Sequence, residues 1–120
     1  RGYAERSAGE IRVVVMARAL VNVPRALLLD EPSTGLDLIA REQLIATMRD
    51  LARQGITLVL VTHHIEEIIP EIERVVMLRG GKILADGARA ELLRDAPLSE
   101  LFGGPIRVVE QAGRLSAFAG

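Results

Sequence analysis

Two carboxylates stand side by side at Asp30 and Glu31, directly after the apolar run Ala26-Leu27-Leu28-Leu29 and directly before Pro32. A short apolar run of this kind predicts a strand buried on both faces. Pro32 ends it, because proline cannot donate to a strand ladder. Acids at the end of a buried strand carry a desolvation cost unless a cation or hydrogen-bond donors meet them. In open α/β sheets, ligands sit beyond the carboxyl ends of the strands. The pair therefore predicts a site for a hydrated magnesium ion and its phosphate.

A second group with chemical capacity, His63 and His64, follows the run Thr57-Leu58-Val59-Leu60-Val61-Thr62, which also reads as a fully buried strand. Between the two runs, Leu44, Ile45, Met48, Leu51 and Ala52 recur at helical spacing over residues 38–54, with Arg41, Glu42, Arg49 and Arg53 mostly opposite. Asp37 is placed to cap that helix and Gly55 to stop it. Strand, helix, strand at this spacing predicts a right-handed crossover joining parallel strands. Both strands then end at one sheet edge, so topology alone brings His63 and His64 near Asp30 and Glu31. A metal site made from these four is conceivable. Against it, adjacent histidines are expected to point apart and the strand ends have a better use in holding magnesium and phosphate.

The unbroken string Leu27-Leu28-Leu29-Asp30-Glu31-Pro32 resembles the Walker B motif of ATP-binding-cassette (ABC) ATPases, and Ser33-Thr34-Gly35-Leu36-Asp37 resembles the D-loop that follows it. Thr62-His63-His64 is similar to the family's switch region. Residues 6–20, from Arg6-Ser7-Ala8-Gly9-Glu10 to Arg18-Ala19-Leu20, resemble the family signature, usually L-S-G-G-Q, and the helix it opens. Arg6, Ala8, Ile11 and Val13 depart from that pattern. Taken alone, residues 11–15 have enough β-branched side chains to read as a strand; Arg18-Ala19-Leu20 and the family context favour a helix. The resemblance runs from about Ser7 to Gly87.

The resemblance implies roles. Asp30 would serve the magnesium ion and Glu31 would polarise the attacking water, while His63 would contact the γ-phosphate of ATP. Gly35 and Asp37 would make the contact between two cassettes that face head to tail. Ser7, Gly9 and Glu10 would bind the nucleotide of the partner cassette, with Ser7 capping a helix whose dipole attracts phosphate.

The remaining elements are carried by simpler signals. Ile65, Ile68, Ile69 and Ile72 predict an amphipathic helix with Glu66, Glu67, Glu71 and Glu73 outside, kinked or divided at Pro70. Gly80-Gly81 predicts a hairpin between residues 74–79 and 82–86. Short helices are expected over 88–93 and 98–102. Gly103-Gly104-Pro105 is expected to end the compact region, with 106–120 a last hairpin through Gly113 or a frayed tail. The expected fold class is α/β: a partial P-loop NTPase-type parallel sheet flanked by helices, with a hairpin and short helices towards the C-terminus. The expected organisation is an ABC ATPase part over 1–105 and a tail or hairpin over 106–120.

Composition sets the outer bounds. The 120 residues are 49% hydrophobic but only 2% aromatic, so the core must be aliphatic. Fifteen basic and sixteen acidic residues leave a net charge of −1, which offers no general field for nucleic acid, and none is expected as a partner. Cysteine is absent, which excludes disulfides and thiolate metal sites. No apolar run approaches bilayer length, so any work at a membrane would go through a partner. The 120 residues contain no G-x-x-x-x-G-K-[ST] string. The expectation is the C-terminal half of a cassette, from a cytoplasmic subunit held at the membrane by a permease and pairing with a second ATPase subunit. Alone, such a chain is expected to hydrolyse little or no ATP. The alternatives are a soluble, non-transport cassette ATPase and a non-catalytic half-cassette that acts as an interaction module.

Overall fold

A computed structural model describes residues 11–16 and 26–120. Five strands form one sheet: β1 (Ile11–Met16), β2 (Ala26–Asp30), β3 (Thr57–Thr62), β4 (Arg74–Arg79) and β5 (Lys82–Ala88), in the order β2-β3-β1-β4-β5. As the crossover argument requires, β2 and β3 are parallel, with Ala26 opposite Thr57 and Asp30 opposite Val61. Helix α1 (Leu38–Arg53) makes the connection. Its first turn is held by Asp37, whose Oδ1 accepts a 2.8 Å bond from the Ala40 N–H. Ile45 and Met48 on its inner face are buried in the same cluster as Leu58 and Leu60 of β3. Full burial of such a side chain stabilises by about 1.5–3 kcal/mol.

Two expectations for the first half are corrected. Residues 11–16 form a strand, not the helix expected to open after Ser7. Ile11, Val13, Val14 and Val15 are β-branched and lose rotamer freedom in a helix. In the sheet their backbone pairs on both sides, Val14 lying opposite Val61 of β3 and Val76 of β4, antiparallel to each. The sheet is therefore mixed around its parallel β2–β3 pair. Ser7, Gly9, Glu10 and Arg18-Ala19-Leu20 lie outside the described residues. Strand β2, expected to be buried on both faces, is an edge of this sheet among the described residues, and its Leu28 is 65% exposed.

The segment after β3 also departs from its periodicity. Ile65, Ile68, Ile69 and Ile72 are all buried, but only Ile65–Glu67 is helical, as one 3-10 turn. Pro70 cannot donate within a helix and its ring clashes with the preceding turn. The β-branched isoleucines do not compensate, and they reach the core from an irregular path instead. Glu67, placed outside by the helical reading, is 1% exposed.

The second half follows the turn chemistry. Gly80 and Gly81 both take positive φ, the geometry of a two-residue hairpin turn whose twist suits the flanking strands β4 and β5. Short helices α2 (Arg89–Leu92) and α3 (Asp95–Phe102) follow, then the hairpin β6 (Ile106–Gln111) and β7 (Arg114–Ala119). The packed region continues past Gly103-Gly104-Pro105, because Leu115 of β7 joins Leu98 and Leu101 of α3 in the core. Arg114 clamps this hairpin to α1 through a bidentate pair with Glu42 at 2.8 and 3.0 Å.

Candidate functional site

The site is built on the carboxyl ends of β2 and β3. Because the two strands are parallel and Asp30 lies opposite Val61, the residues that follow each strand emerge together. Glu31 still belongs to the ladder, its N–H donating to the Val61 carbonyl at 2.7 Å. Its backbone then adopts φ +50°, a left-handed conformation that costs a non-glycine residue about 1–2 kcal/mol. Such strain persists where the surroundings over-determine it, and the residues before and after Glu31 do so: a ladder bond behind, and Pro32 and a turn ahead. In that turn the Thr34 N–H donates to the Glu31 carbonyl and the Leu36 N–H to that of Ser33. Gly35 sits at φ +82° with open space where a Cβ would stand, so conformation rather than room demands glycine there.

The turned Glu31 meets His63. Glu31 Oε2 lies 2.8 Å from His63 Nδ1, and the carboxylate is mostly shielded at 16% exposed while the imidazole is 46% exposed. A carboxylate only accepts, so Nδ1 carries the hydrogen and the ring is oriented by the acid. Asp30, one residue earlier, is exposed at the end of β2. The topological expectation that His63 and His64 approach this acidic pair is met, with Glu31 as the contact.

Two features escaped the sequence. The adjacent histidines do not point apart: the ring centroids of His63 and His64 are 4.1 Å apart with the planes tilted by 40°. Beneath them runs a buried polar chain. The Thr62 hydroxyl accepts from the His64 N–H at 3.0 Å and donates to Glu67 Oε1 at 2.7 Å. Thr62 and Glu67 are 0% and 1% exposed. This chain pins the backbone that carries both histidines to the 3-10 turn. The only sequence cue was Pro70, which should have divided the isoleucine pattern early enough to free Glu67 from its solvent-facing assignment.

Asp37 and Gly35 occupy the loop between β2 and α1, and the apolar side chains beside them are open to solvent: Leu36, Leu38 and Ile39 are 42%, 63% and 67% exposed. Ser7, Gly9 and Glu10 lie outside the described residues. A separate open cleft of about 610 Å³, lined by Glu91, Arg94, Asp95 and Glu110 among others, shares no residue with the Glu31–His63 pair. Among the described residues, no helix is long and apolar enough to cross a membrane.

As for donor chemistry, Asp30 and Glu31 offer hard carboxylate oxygens, the kind magnesium takes together with phosphate oxygens and water. The residues present fit that ion.

No protein-family model matches the chain. It is 41% identical over 111 residues to an uncharacterised ABC transporter ATP-binding protein, YlmA, of Bacillus subtilis, covering 91% of this chain and 42% of that protein. It is 40% identical over 104 residues to the Nod factor export ATP-binding protein I of Neorhizobium galegae, covering 84% of this chain and 30% of that one. The chain thus spans less than half the length of these curated relatives. Its fold is similar to part of a solved ABC transporter of metal-chelate type in an inward-facing conformation. The TM-score there is 0.63 at 21% identity, covering 78% of this chain and 38% of that chain.

Proposed function

The chain belongs to the ABC ATPases, and from that premise we propose that it forms the C-terminal part of the ATP-hydrolysing subunit of a membrane transporter. The observation that carries this reading is the 2.8 Å contact of Glu31 with His63 at the carboxyl edge of the parallel β2–β3 pair. Residues 1–105 belong to the ATPase domain in this reading, and 106–120 form its terminal hairpin. Bound MgATP supplies the γ-phosphate as electrophile. Asp30 would hold the magnesium ion, which would offset the charge on the phosphates. Glu31, fixed by its ladder bond and its left-handed turn, orients a water and accepts its proton. His63, whose Nδ1–H is held by Glu31, would donate to the γ-phosphate from Nε2, which requires both ring nitrogens to carry hydrogen. Catalysis of this kind rests on positioning and charge stabilisation rather than on covalent chemistry.

The partners follow from the same reading. The exposed Leu36, Leu38 and Ile39 beside Gly35 and Asp37 are suited to contact with a second cassette. In this reading Ser7, Gly9 and Glu10, which lie outside the described residues, would bind that cassette's nucleotide. A permease subunit would hold the pair at the cytoplasmic face of a membrane. Because the 120 residues contain no phosphate-cradling G-x-x-x-x-G-K-[ST] string, this polypeptide alone is expected to hydrolyse little or no ATP.

Glu31→Gln in the full-length protein tests the assignment. Loss of a positioned general base lowers turnover by about 100-fold or more, while equilibrium binding of ATP is retained. Unchanged magnesium-dependent turnover in that variant would overturn the role of Glu31 and, with it, the reading of the site.

A further inference from the structure

Glu31, His63 and His64 each bring a metal-ligating atom to one place, and those atoms all lie within 4.8 Å of one another. We propose that the three form a chelating site for a borderline first-row divalent cation of the zinc type. The donor set is two imidazoles and one carboxylate, which suits zinc and its neighbours and differs from the all-oxygen set that magnesium takes. It is also distinct from the magnesium role of Asp30, and it stands on side-chain geometry without requiring that the protein hydrolyse ATP.

The spacing is within reach of a bound ion. Zinc–nitrogen and zinc–oxygen bonds of about 2.0–2.2 Å place tetrahedral ligands roughly 3.3–3.6 Å apart. The Glu31–His63 pair at 2.8 Å must open slightly, the His63 hydrogen moving from Nδ1 to Nε2 as Nδ1 takes the metal, and no pair, all lying within 4.8 Å, need close by more than about 1.5 Å. Both histidines are exposed, so their rings can make that adjustment without disturbing the core. The backbones behind them are held. The Glu31 N–H is bonded to Val61, and the His64 N–H is anchored on Thr62, which is itself bonded to the buried Glu67. Outer contacts of this kind pre-orient the side chains of a metal site. Three protein ligands leave a fourth position for water or an anion.

Occupancy would engage Glu31 and His63 directly. Where these two act as proposed in hydrolysis, the cation would be an inhibitor, a consequence that rests on the ATPase reading. Binding itself does not.

The test uses the full-length protein without nucleotide, titrated with Co²⁺ and followed by visible absorption, then back-titrated with Zn²⁺. A saturable one-equivalent spectrum is expected, displaced by Zn²⁺ and unaffected by a large excess of Mg²⁺. His64→Ala, an exposed position, should weaken binding by about tenfold or more, whereas His64→Cys should retain it and add a thiolate-to-cobalt charge-transfer band. Absence of saturable binding, or affinity unchanged in both His64→Ala and Glu31→Gln, would overturn the proposal. Neither result bears on ATP turnover, which the Glu31→Gln activity assay reads separately.

Discussion

The Thr62 hydroxyl is the smallest group whose removal should disturb the site, and Thr62→Val isolates it because the shape is nearly kept. In the native chain that hydroxyl donates to Glu67 Oε1 at 2.7 Å and accepts from the His64 N–H at 3.0 Å. A hydrogen bond to a charged group is worth about 1.5–3 kcal/mol, and a neutral one about 0.5–1.5 kcal/mol. The added methyl returns less than about 1 kcal/mol of apolar burial. The variant should therefore be destabilised by about 1–4 kcal/mol, with the Glu67 carboxyl stranded in the core. Urea unfolding of the full-length protein, followed by far-UV circular dichroism, reads the loss. Adding Glu67→Met supplies the decisive comparison, since replacing both partners by apolar groups is nearly neutral. The double variant should regain most of the lost stability, leaving only the His64 N–H to account for about 1 kcal/mol. A Thr62→Val loss below about 1 kcal/mol, or a double variant no better than the single one, would refute the chain as the anchor of the histidines.

Two further comparisons probe how the C-terminal hairpin is held. Gly113 has φ +79° and a Cβ there would lie 3.2 Å from Pro70 Cγ, whereas Gly104 has nothing within 4 Å. Gly113→Ala should cost about 1–2 kcal/mol in denaturant titration, and Gly104→Ala close to nothing; equal costs would contradict the left-handed turn at Gly113. For the Glu42–Arg114 clamp, the bond from Arg114 holds the Glu42 carboxyl below its ordinary value of 4.5. A depressed folded value means the stabilisation is present above the ordinary value and disappears as pH falls through the folded one. The stability difference between wild type and Glu42→Gln should thus be full near neutrality and vanish in acid. With Glu42 at 42% exposure it should stay under about 1 kcal/mol and shrink with salt. A difference that persists at pH 2 would exclude the ion pair as its source.

What this chain declares in its sequence is local and periodic. The string from Leu27 to Asp37 predicts a strand, a turn and a capped helix, and each is formed, because Pro32, Gly35 and Asp37 act through backbone constraints that need no distant partner. The parallel crossover follows from spacing and handedness, and with it the meeting of Glu31 and His63. The hairpin turn at Gly80-Gly81 is legible for the same reason. The tertiary structure alone decided everything that depended on neighbours. Residues 11–16 carry both helical and extended signals, and the open ladder between β3 and β4 resolves them in favour of a strand. The isoleucines from Ile65 to Ile72 declare their burial but not their path, which Pro70 and the core set together. Glu67 reads as a surface acid until Thr62 is seen to meet it. His63 and His64 face one another only because the backbone after β3 is pinned from below, and a pattern of residue types carries no record of that restraint.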